Sequence, residues 1–95
     1  MLISNRYPEL SMFFGFFPDA DLEGLTDEGA ARKFCAEMDD EDRRDALAQG
    51  RDLLENPDTA YIDAVERYTN RHFKDREAAR RWLGGVLQVL EDYQG

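Results

Sequence analysis

The sequence predicts an all-α protein, a compact bundle of about five short helices. Apolar residues recur at intervals of three and four positions along most of the chain, which is typical of helices with one buried face. Residues that favour helix starts and stops separate these segments, and no segment alternates convincingly between apolar and polar residues. The 95 residues are enough for one modest core, so we expect a single domain over residues 1–95.

The first predicted helix begins at Pro8, because proline in a first turn loses no hydrogen bond. We expect Pro18 to end this helix. One member of the pairs Phe13/Phe14 or Phe16/Phe17 is expected at the edge of the core, where it could reach a partner. The buried stripe of this helix is rich in aromatic residues: Tyr7, Leu10, Phe13, Phe14 and Phe17.

Two further helices follow. Thr26 is the predicted N-cap of the second, which extends to about Met38. The third starts among Asp39–Asp42 and extends to about Glu55. Their predicted buried residues are Ala31, Phe34, Cys35 and Met38 on the second helix and Ala46, Leu47, Gly50, Leu53 and Leu54 on the third.

The sequence Asn56-Pro57-Asp58 predicts a break, with Asp58 or Thr59 capping a fourth helix. Asp75 is the predicted cap of a fifth, from Arg76 to about Tyr93. Gly84 and Gly85 are costly inside a helix, so we expect another helix to approach closely there. The predicted buried residues are Tyr61, Ile62, Val65, Tyr68 and Thr69 on the fourth helix and Ala79, Trp82, Leu83, Val86, Leu90 and Tyr93 on the fifth.

The chain is acidic, with 21 Asp and Glu against 12 Lys and Arg and a net charge of −9. This balance disfavours nucleic acid and anionic membrane surfaces as partners, because both need a basic footprint. It favours a basic protein partner, whose encounter would be steered electrostatically. The alternative is that the acidity serves only solubility.

The sequence also predicts a cytoplasmic location. No apolar run approaches the length of about 20 residues that spans a bilayer, and the first residues lack the pattern of an export signal. The single cysteine, Cys35, excludes an internal disulfide framework.

Residues 19–30 loosely match a calcium-binding loop of the form D-x-[DN]-x-[DN]-G-x5-E. The last position should be a bidentate glutamate, and here it is Ala30. We therefore expect no metal or other cofactor, with Asp19 and Asp21 in a turn between helices and Asp27 and Glu28 at a helix N-terminus. The partial match rests on Asp19, Asp21, Glu23, Gly24 and Asp27.

Catalysis is not expected either. His72 is the only histidine, and Cys35 lies on an apolar stripe where a cysteine behaves as a small buried hydrophobe. No nucleophile elbow, glycine-rich phosphate loop or metalloprotease motif is present. The sequence therefore predicts a binding protein rather than an enzyme.

The densest charged run holds six acids in nine positions, from residue 37 to residue 45. It is either a solvated helix start, where acids are favourable, or a docking face for a basic partner. In the second interpretation, a cationic partner reduces the repulsion between these closely spaced carboxylates. The candidate partner-binding residues are Asp19, Asp21, Glu23, Glu37, Asp39, Asp40, Glu41, Asp42 and Asp45.

Several segments together resemble the small immunity proteins of bacterial contact-dependent growth inhibition systems. They are Y-P-E-L near the start, F-F-P-D-A-D, T-D-E-G-A-A, L-L-E-N, and W-L-G-G-V-L-Q-V-L-E near the end. The chain departs from the family's usual pattern in having Pro18 directly before Asp19 and a short acidic linker. The positions that match are Tyr7, Leu10, Phe13, Phe17, Asp19, Trp82 and Leu83.

The resemblance implies a cytoplasmic inhibitor that binds the toxic C-terminal domain of an incoming effector, often a nuclease. Such a protein blocks the active site of the toxin or a neighbouring surface. A nuclease must attract phosphates, so an acidic inhibitor is its electrostatic complement. The alternative is an acidic adaptor or regulatory module that binds a basic protein with no toxin involved.

Overall fold

The computed structural model describes residues 3–55 and 59–93. Within these residues the chain is helical, with no strand, which confirms the all-α prediction. The one-turn helix α1 was not predicted, and α2 with α3 takes the place of the first predicted helix. The helices are α1 Ile3–Arg6, α2 Pro8–Phe14, α3 Phe16–Leu22, α4 Asp27–Glu37, α5 Asp40–Glu55, α6 Thr59–Thr69 and α7 Arg76–Asp92.

The last four helices match the four predicted after the aromatic segment. The break at Asn56-Pro57-Asp58 and the cap of α6 lie outside the described residues and side chains. Thr26 accepts a 3.0 Å hydrogen bond from the Gly29 N–H, and Asp75 accepts one of 2.8 Å from the Ala78 N–H. Both predicted N-caps are therefore confirmed.

The prediction that Pro18 ends the first helix is wrong. Pro18 lies in the first turn of α3, where the leading N–H groups have no partner within the helix and a proline loses nothing. The interruption falls at Gly15, whose φ of −64° and ψ of −15° are nearly helical. The chain therefore bends only slightly between α2 and α3 and stays helical to Leu22.

The aromatic residues of α2 and α3 form the centre of the core. Phe13 and Phe14 are both fully buried, because Phe13 contacts Phe34 of α4 at 5.0 Å between ring centroids and Phe14 contacts Trp82 of α7 at 6.4 Å. Phe16 is only partly buried and packs edge-on against Phe34 at 5.2 Å. Phe16 is thus the phenylalanine expected at the edge of the core.

Helices α5 and α7 approach most closely at Gly50, not at Gly84 and Gly85 as predicted. A Cβ atom built on Gly50 would overlap with the Leu87 side chain, whereas one built on Gly84 or Gly85 meets nothing within 4 Å. The two glycines of α7 therefore have no packing role in this structure. Leu87, absent from the predicted core, is buried because it fills the space that Gly50 leaves.

Helices α2 and α5 lie side by side in opposite directions. The Tyr7 hydroxyl donates a 2.6 Å hydrogen bond to Asp52, and the Leu10 N–H donates one of 3.0 Å to the Gln49 side chain. This antiparallel pairing directs the C-terminal end of α2 toward the acidic first half of α5. None of the described helices is both long and apolar enough to cross a membrane.

Candidate partner-binding surface

The acidic run occupies the corner where α4 ends and α5 begins. Glu37 is the last residue of α4, Asp39 lies in the link, and α5 begins at Asp40. The Asp39 carboxylate accepts a 2.8 Å hydrogen bond from the Asp42 N–H, so one acid of the run caps α5. We call the six residues of this run the acidic corner: Glu37, Asp39, Asp40, Glu41, Asp42 and Asp45.

The protein's own cations leave most of the acidic corner unneutralised. Asp40 lies 3.9 Å from a guanidinium nitrogen of Arg43, but Arg43 is directed toward α7, where it donates a 2.9 Å hydrogen bond to the Leu90 carbonyl. In the part of the chain that the structure describes, five carboxylates of the corner have no Lys or Arg nitrogen within 4.0 Å. They are those of Glu37, Asp39, Glu41, Asp42 and Asp45.

Repulsion within the corner is visible at Asp42. Its pKa is raised above the ordinary value, first by burial and then by the neighbouring Asp39 carboxylate. Glu9 of α2 and Glu41 raise the pKa of Asp42 further. The acidic field therefore extends from the corner onto α2, and the charged form of Asp42 is held at a cost that a nearby external cation would reduce.

The three acids predicted near residues 19–23 have different environments. Asp19 and Asp21 lie within α3, not in a turn as expected, because the helix continues beyond Pro18. Asp21 pairs with Arg71 at 2.9 Å, and both carboxylate oxygens of Glu23 accept hydrogen bonds of 3.0 Å from the Lys33 ammonium. Asp19 is exposed, and over residues 3–55 and 59–93 no cation lies within 4.0 Å of it.

The expected position of Asp27 and Glu28 at a helix N-terminus is confirmed, since both lie in the first turn of α4. The segment from residue 19 to residue 30 comprises the second half of α3, a turn and the start of α4, and its Asp21 and Asp27 carboxylates meet at the Arg71 guanidinium. Among the described residues, no group of three or more His, Cys, Asp or Glu side chains is placed to hold a metal ion.

A groove of about 520 Å³ connects the two sets of acids. Met12, Gly15 and Phe16 form its apolar surface, while Asp19, Lys33 and Glu37 supply its charges. We call this concavity the Met12 groove. It places Asp19, from the segment around residues 19–23, on the same surface as Glu37 of the acidic corner.

Met12 and Glu9 were not predicted as surface features of this face, and Phe16 was expected only as one of several phenylalanines that could lie at the core edge. A signal existed, because Glu9, Met12, Phe16 and Asp19 recur at helical spacing on the side of α2 and α3 away from the buried stripe. Met12 is 39% exposed, which is high for a large apolar side chain. No sequence signal indicates the pairing of Lys33 with Glu23, which raises the pKa of Lys33.

Neither of the two residues considered for catalysis lines the Met12 groove. Cys35 is buried within α4, as expected, and burial raises the pKa of its thiol, which makes it a weak nucleophile. His72 is exposed in the link between α6 and α7, beside Asp63, Glu66 and Asn70.

Arg71 holds α3 against the rest of the bundle. Its guanidinium pairs with Asp21 of α3 and Asp27 of α4, and it lies 5.0 Å from the centre of the Phe17 ring and 5.6 Å from that of Trp82. The Arg71 side chain is 17% exposed. These contacts fix the end of α3 that carries Asp19, so one rim of the Met12 groove rests on an anchored helix.

The surface offers carboxylates and a narrow apolar strip, a combination that suits a cationic and partly apolar protein surface. Comparisons of the chain with protein-family models, with curated proteins and with solved structures found no match.

Proposed function

We propose that this chain is a cytoplasmic immunity protein of the contact-dependent growth inhibition kind. It binds the toxic C-terminal domain of an effector. In this proposal that domain is a basic nuclease, and the protein inhibits it by binding and not by catalysis. The acidic corner and the Met12 groove form the contact surface. The resemblance of the sequence to that family is the first support.

The observation that carries the proposal is the set of five corner carboxylates that have no Lys or Arg nitrogen within 4.0 Å among the described residues. A protein that used its acids for its own stability would pair them, as Asp21 and Glu23 are paired here. Unpaired acids at one corner produce a local negative field, which increases the rate of encounter with a basic surface.

Most of the family-like positions support the fold rather than the contact. Tyr7, Leu10, Phe13, Phe17 and Leu83 are all buried in the core. Asp19 is different, because it is exposed on the rim of the Met12 groove. The resemblance and the charge distribution are therefore largely independent supports.

The first test is co-expression with the C-terminal domain of the large effector encoded beside this gene. We expect a complex that co-purifies and a host that grows. Continued killing with no complex would overturn the proposal. A stable complex with a basic protein that is not a toxin would instead favour the adaptor alternative.

The second test reverses charge at the corner with Asp39→Lys, Asp40→Lys and Asp42→Lys together. We expect association with the toxin domain to slow by at least about tenfold and to lose most of its salt dependence. The control reverses three exposed acids away from the corner, Glu55→Lys, Asp63→Lys and Glu77→Lys, so that the net charge changes equally. Equal effects of the two triple variants would show that only net charge matters and that the corner is not the contact.

A further inference from the structure

We propose that the Met12 groove receives an arginine side chain of the partner. This inference rests on the proposed function and deepens it, because it assigns one chemical group of the toxin to one concavity of the inhibitor. The acidic corner explains attraction over a distance. The groove supplies a specific contact after the encounter.

The apolar part of the groove fits the stem of a long cationic side chain. Met12 is 39% exposed, and Gly15 adds no side chain that would fill the concavity. Phe16 is held by its edge-on contact with Phe34, so the part of it that remains exposed belongs to a fixed surface. An arginine stem covers such a surface and keeps its charged end in the polar rim.

The rim carries an excess of negative charge despite Lys33. The Lys33 ammonium is held by both carboxylate oxygens of Glu23, each at 3.0 Å. In the described part of the chain, neither Asp19 nor Glu37 has a cation within 4.0 Å. Lys33 attracts both carboxylates from beyond that distance, since Glu37 and Asp19 add to the effect of Glu23 in raising its pKa. Its direct ion pair is with Glu23, so a guanidinium that enters between α3 and α4 can pair directly with Asp19 and Glu37.

Arginine fits this groove better than lysine for two reasons. A planar guanidinium can stack on an aromatic ring such as Phe16, and it presents several N–H donors to carboxylates on opposite sides. An ammonium group is strongly hydrated and offers a point charge without a fixed plane. The combination of an aromatic surface with two carboxylates is thus selective for arginine.

Two substitutions at one position test the inference with the purified toxin domain. Met12→Arg places the protein's own guanidinium in the groove, and Met12→Glu adds a side chain of similar length with the opposite charge. We expect Met12→Arg to weaken binding by at least about tenfold and Met12→Glu to change it by less than about threefold. Circular dichroism and thermal unfolding confirm that both variants fold.

Equal weakening by both substitutions would indicate simple steric blocking and would overturn the inference, as would unchanged binding by both. In either case the wild-type complex still forms, so the proposed function would stand. Failure of the wild-type chain itself to bind the toxin domain would overturn the proposed function and this inference with it.

A double-mutant cycle then identifies the arginine. Each exposed arginine of the toxin domain is changed to methionine, which keeps the stem, and is combined with Asp19→Asn in the inhibitor. We expect one arginine to show a coupling of at least about fivefold, whereas Asp63→Asn, an exposed acid on α6, shows none with any arginine. Additive effects for every arginine would overturn the inference.

Discussion

Trp82 of α7 donates a 2.6 Å hydrogen bond from its indole Nε1 to the Asp27 carboxylate, at the first residue of α4. The second oxygen of that carboxylate accepts a hydrogen bond from Arg71. One side chain thus joins the start of α4 to the last helix and to the α6–α7 link. A carboxylate is also favourable at a helix N-terminus, so Asp27 serves both the helix and its packing.

We expect Asp27→Asn to lower the free energy of unfolding by about 1.5–3 kcal/mol, because an amide carries no charge and has only one oxygen to accept from Arg71 or Trp82. Urea unfolding followed by the fluorescence of the single tryptophan gives the measurement. Glu28→Gln is the matched control, since Glu28 is exposed in the same first turn and makes a surface ion pair with Arg32. We expect that change to cost less than about 0.5 kcal/mol. Similar losses in both variants would contradict a special role for Asp27.

Replacing glycine by alanine should destabilise the protein at Gly50 of α5 and stabilise it at Gly84 or Gly85 of α7. Gly50→Ala forces a methyl group against buried Leu87, and we expect a loss of about 1–3 kcal/mol. Gly84→Ala and Gly85→Ala meet nothing, and each should gain up to about 1 kcal/mol through helix propensity. Thermal unfolding of the three variants decides the matter. Destabilisation by Gly84→Ala would mean that another group occupies that side of α7.

Alkaline pH should weaken the contact between α2 and α5. Burial and the hydrogen bond to Asp52 raise the pKa of Tyr7 from 10.0 to about 12. A raised pKa in the folded state means that the contribution of Tyr7 is complete below pH 10 and is lost as the pH rises through about 12. A shift of this size corresponds to no more than about 3 kcal/mol. Stability measured against pH should therefore fall in this window.

The variant Tyr7→Phe should remove this part of the alkaline dependence while lowering stability at neutral pH by about 1 kcal/mol. Tyr68→Phe, which removes a tyrosine hydroxyl from α6 and leaves the Tyr7–Asp52 hydrogen bond intact, is the control and should keep the wild-type profile. An unchanged alkaline profile in Tyr7→Phe would contradict the assignment.

Asp42→Asn should stabilise the free protein and weaken the complex. The raised pKa of Asp42 means that its protonated form favours folding, and that this contribution is lost as the pH rises through the folded-state pKa. Removing the charge should therefore raise the melting temperature at neutral pH. The increase should be smaller at acid pH, because Asp42 is then already protonated in the wild-type protein. Association with the toxin domain should become slower.

Asp63→Asn is the control for this variant, because Asp63 is exposed on α6 and away from the acidic corner. We expect neither its melting temperature nor its association rate to change measurably. A fall in melting temperature for Asp42→Asn would show that the attraction of this carboxylate to the start of α5 exceeds its repulsion by Asp39 and Glu9.

Helix positions were predictable because local chemistry determines them. Thr26 and Asp75 cap the helices they were expected to cap, and most of the periodic apolar residues are buried. Six residues predicted in the buried stripes are only partly buried against the core: Met38, Leu47, Leu54, Tyr68, Trp82 and Tyr93. The effect of Pro18 was predicted wrongly because proline can either end a helix or lie in its first turn. The break between α2 and α3 at Gly15 puts Pro18 in a first turn, and the sequence alone does not show that break. The roles of Gly50 and Gly84 could not be distinguished, because the sequence does not reveal where two helices cross.

The candidate surface was predictable in charge but not in shape. The acidic run from Glu37 to Asp45 is evident in the sequence, and the structure places it at one corner of the bundle. Which acids are paired depends on cations distant in sequence, such as Arg71 for Asp21. The Met12 groove likewise depends on how α3 lies against α4, and periodicity within one helix carries no information about that arrangement.

The contacts of Trp82 with Phe14 and Phe17 mean that the aromatic core is covered only when the last helix has been synthesised. Helices α2 and α3 leave the ribosome before α7. Their apolar aromatic side chains therefore stay exposed until α7 is available to pack against them. A product interrupted before Arg76 leaves those rings without their cover, which makes it a substrate for chaperones and proteases. Copies that lack α7 would thus be cleared, and copies that include it would persist.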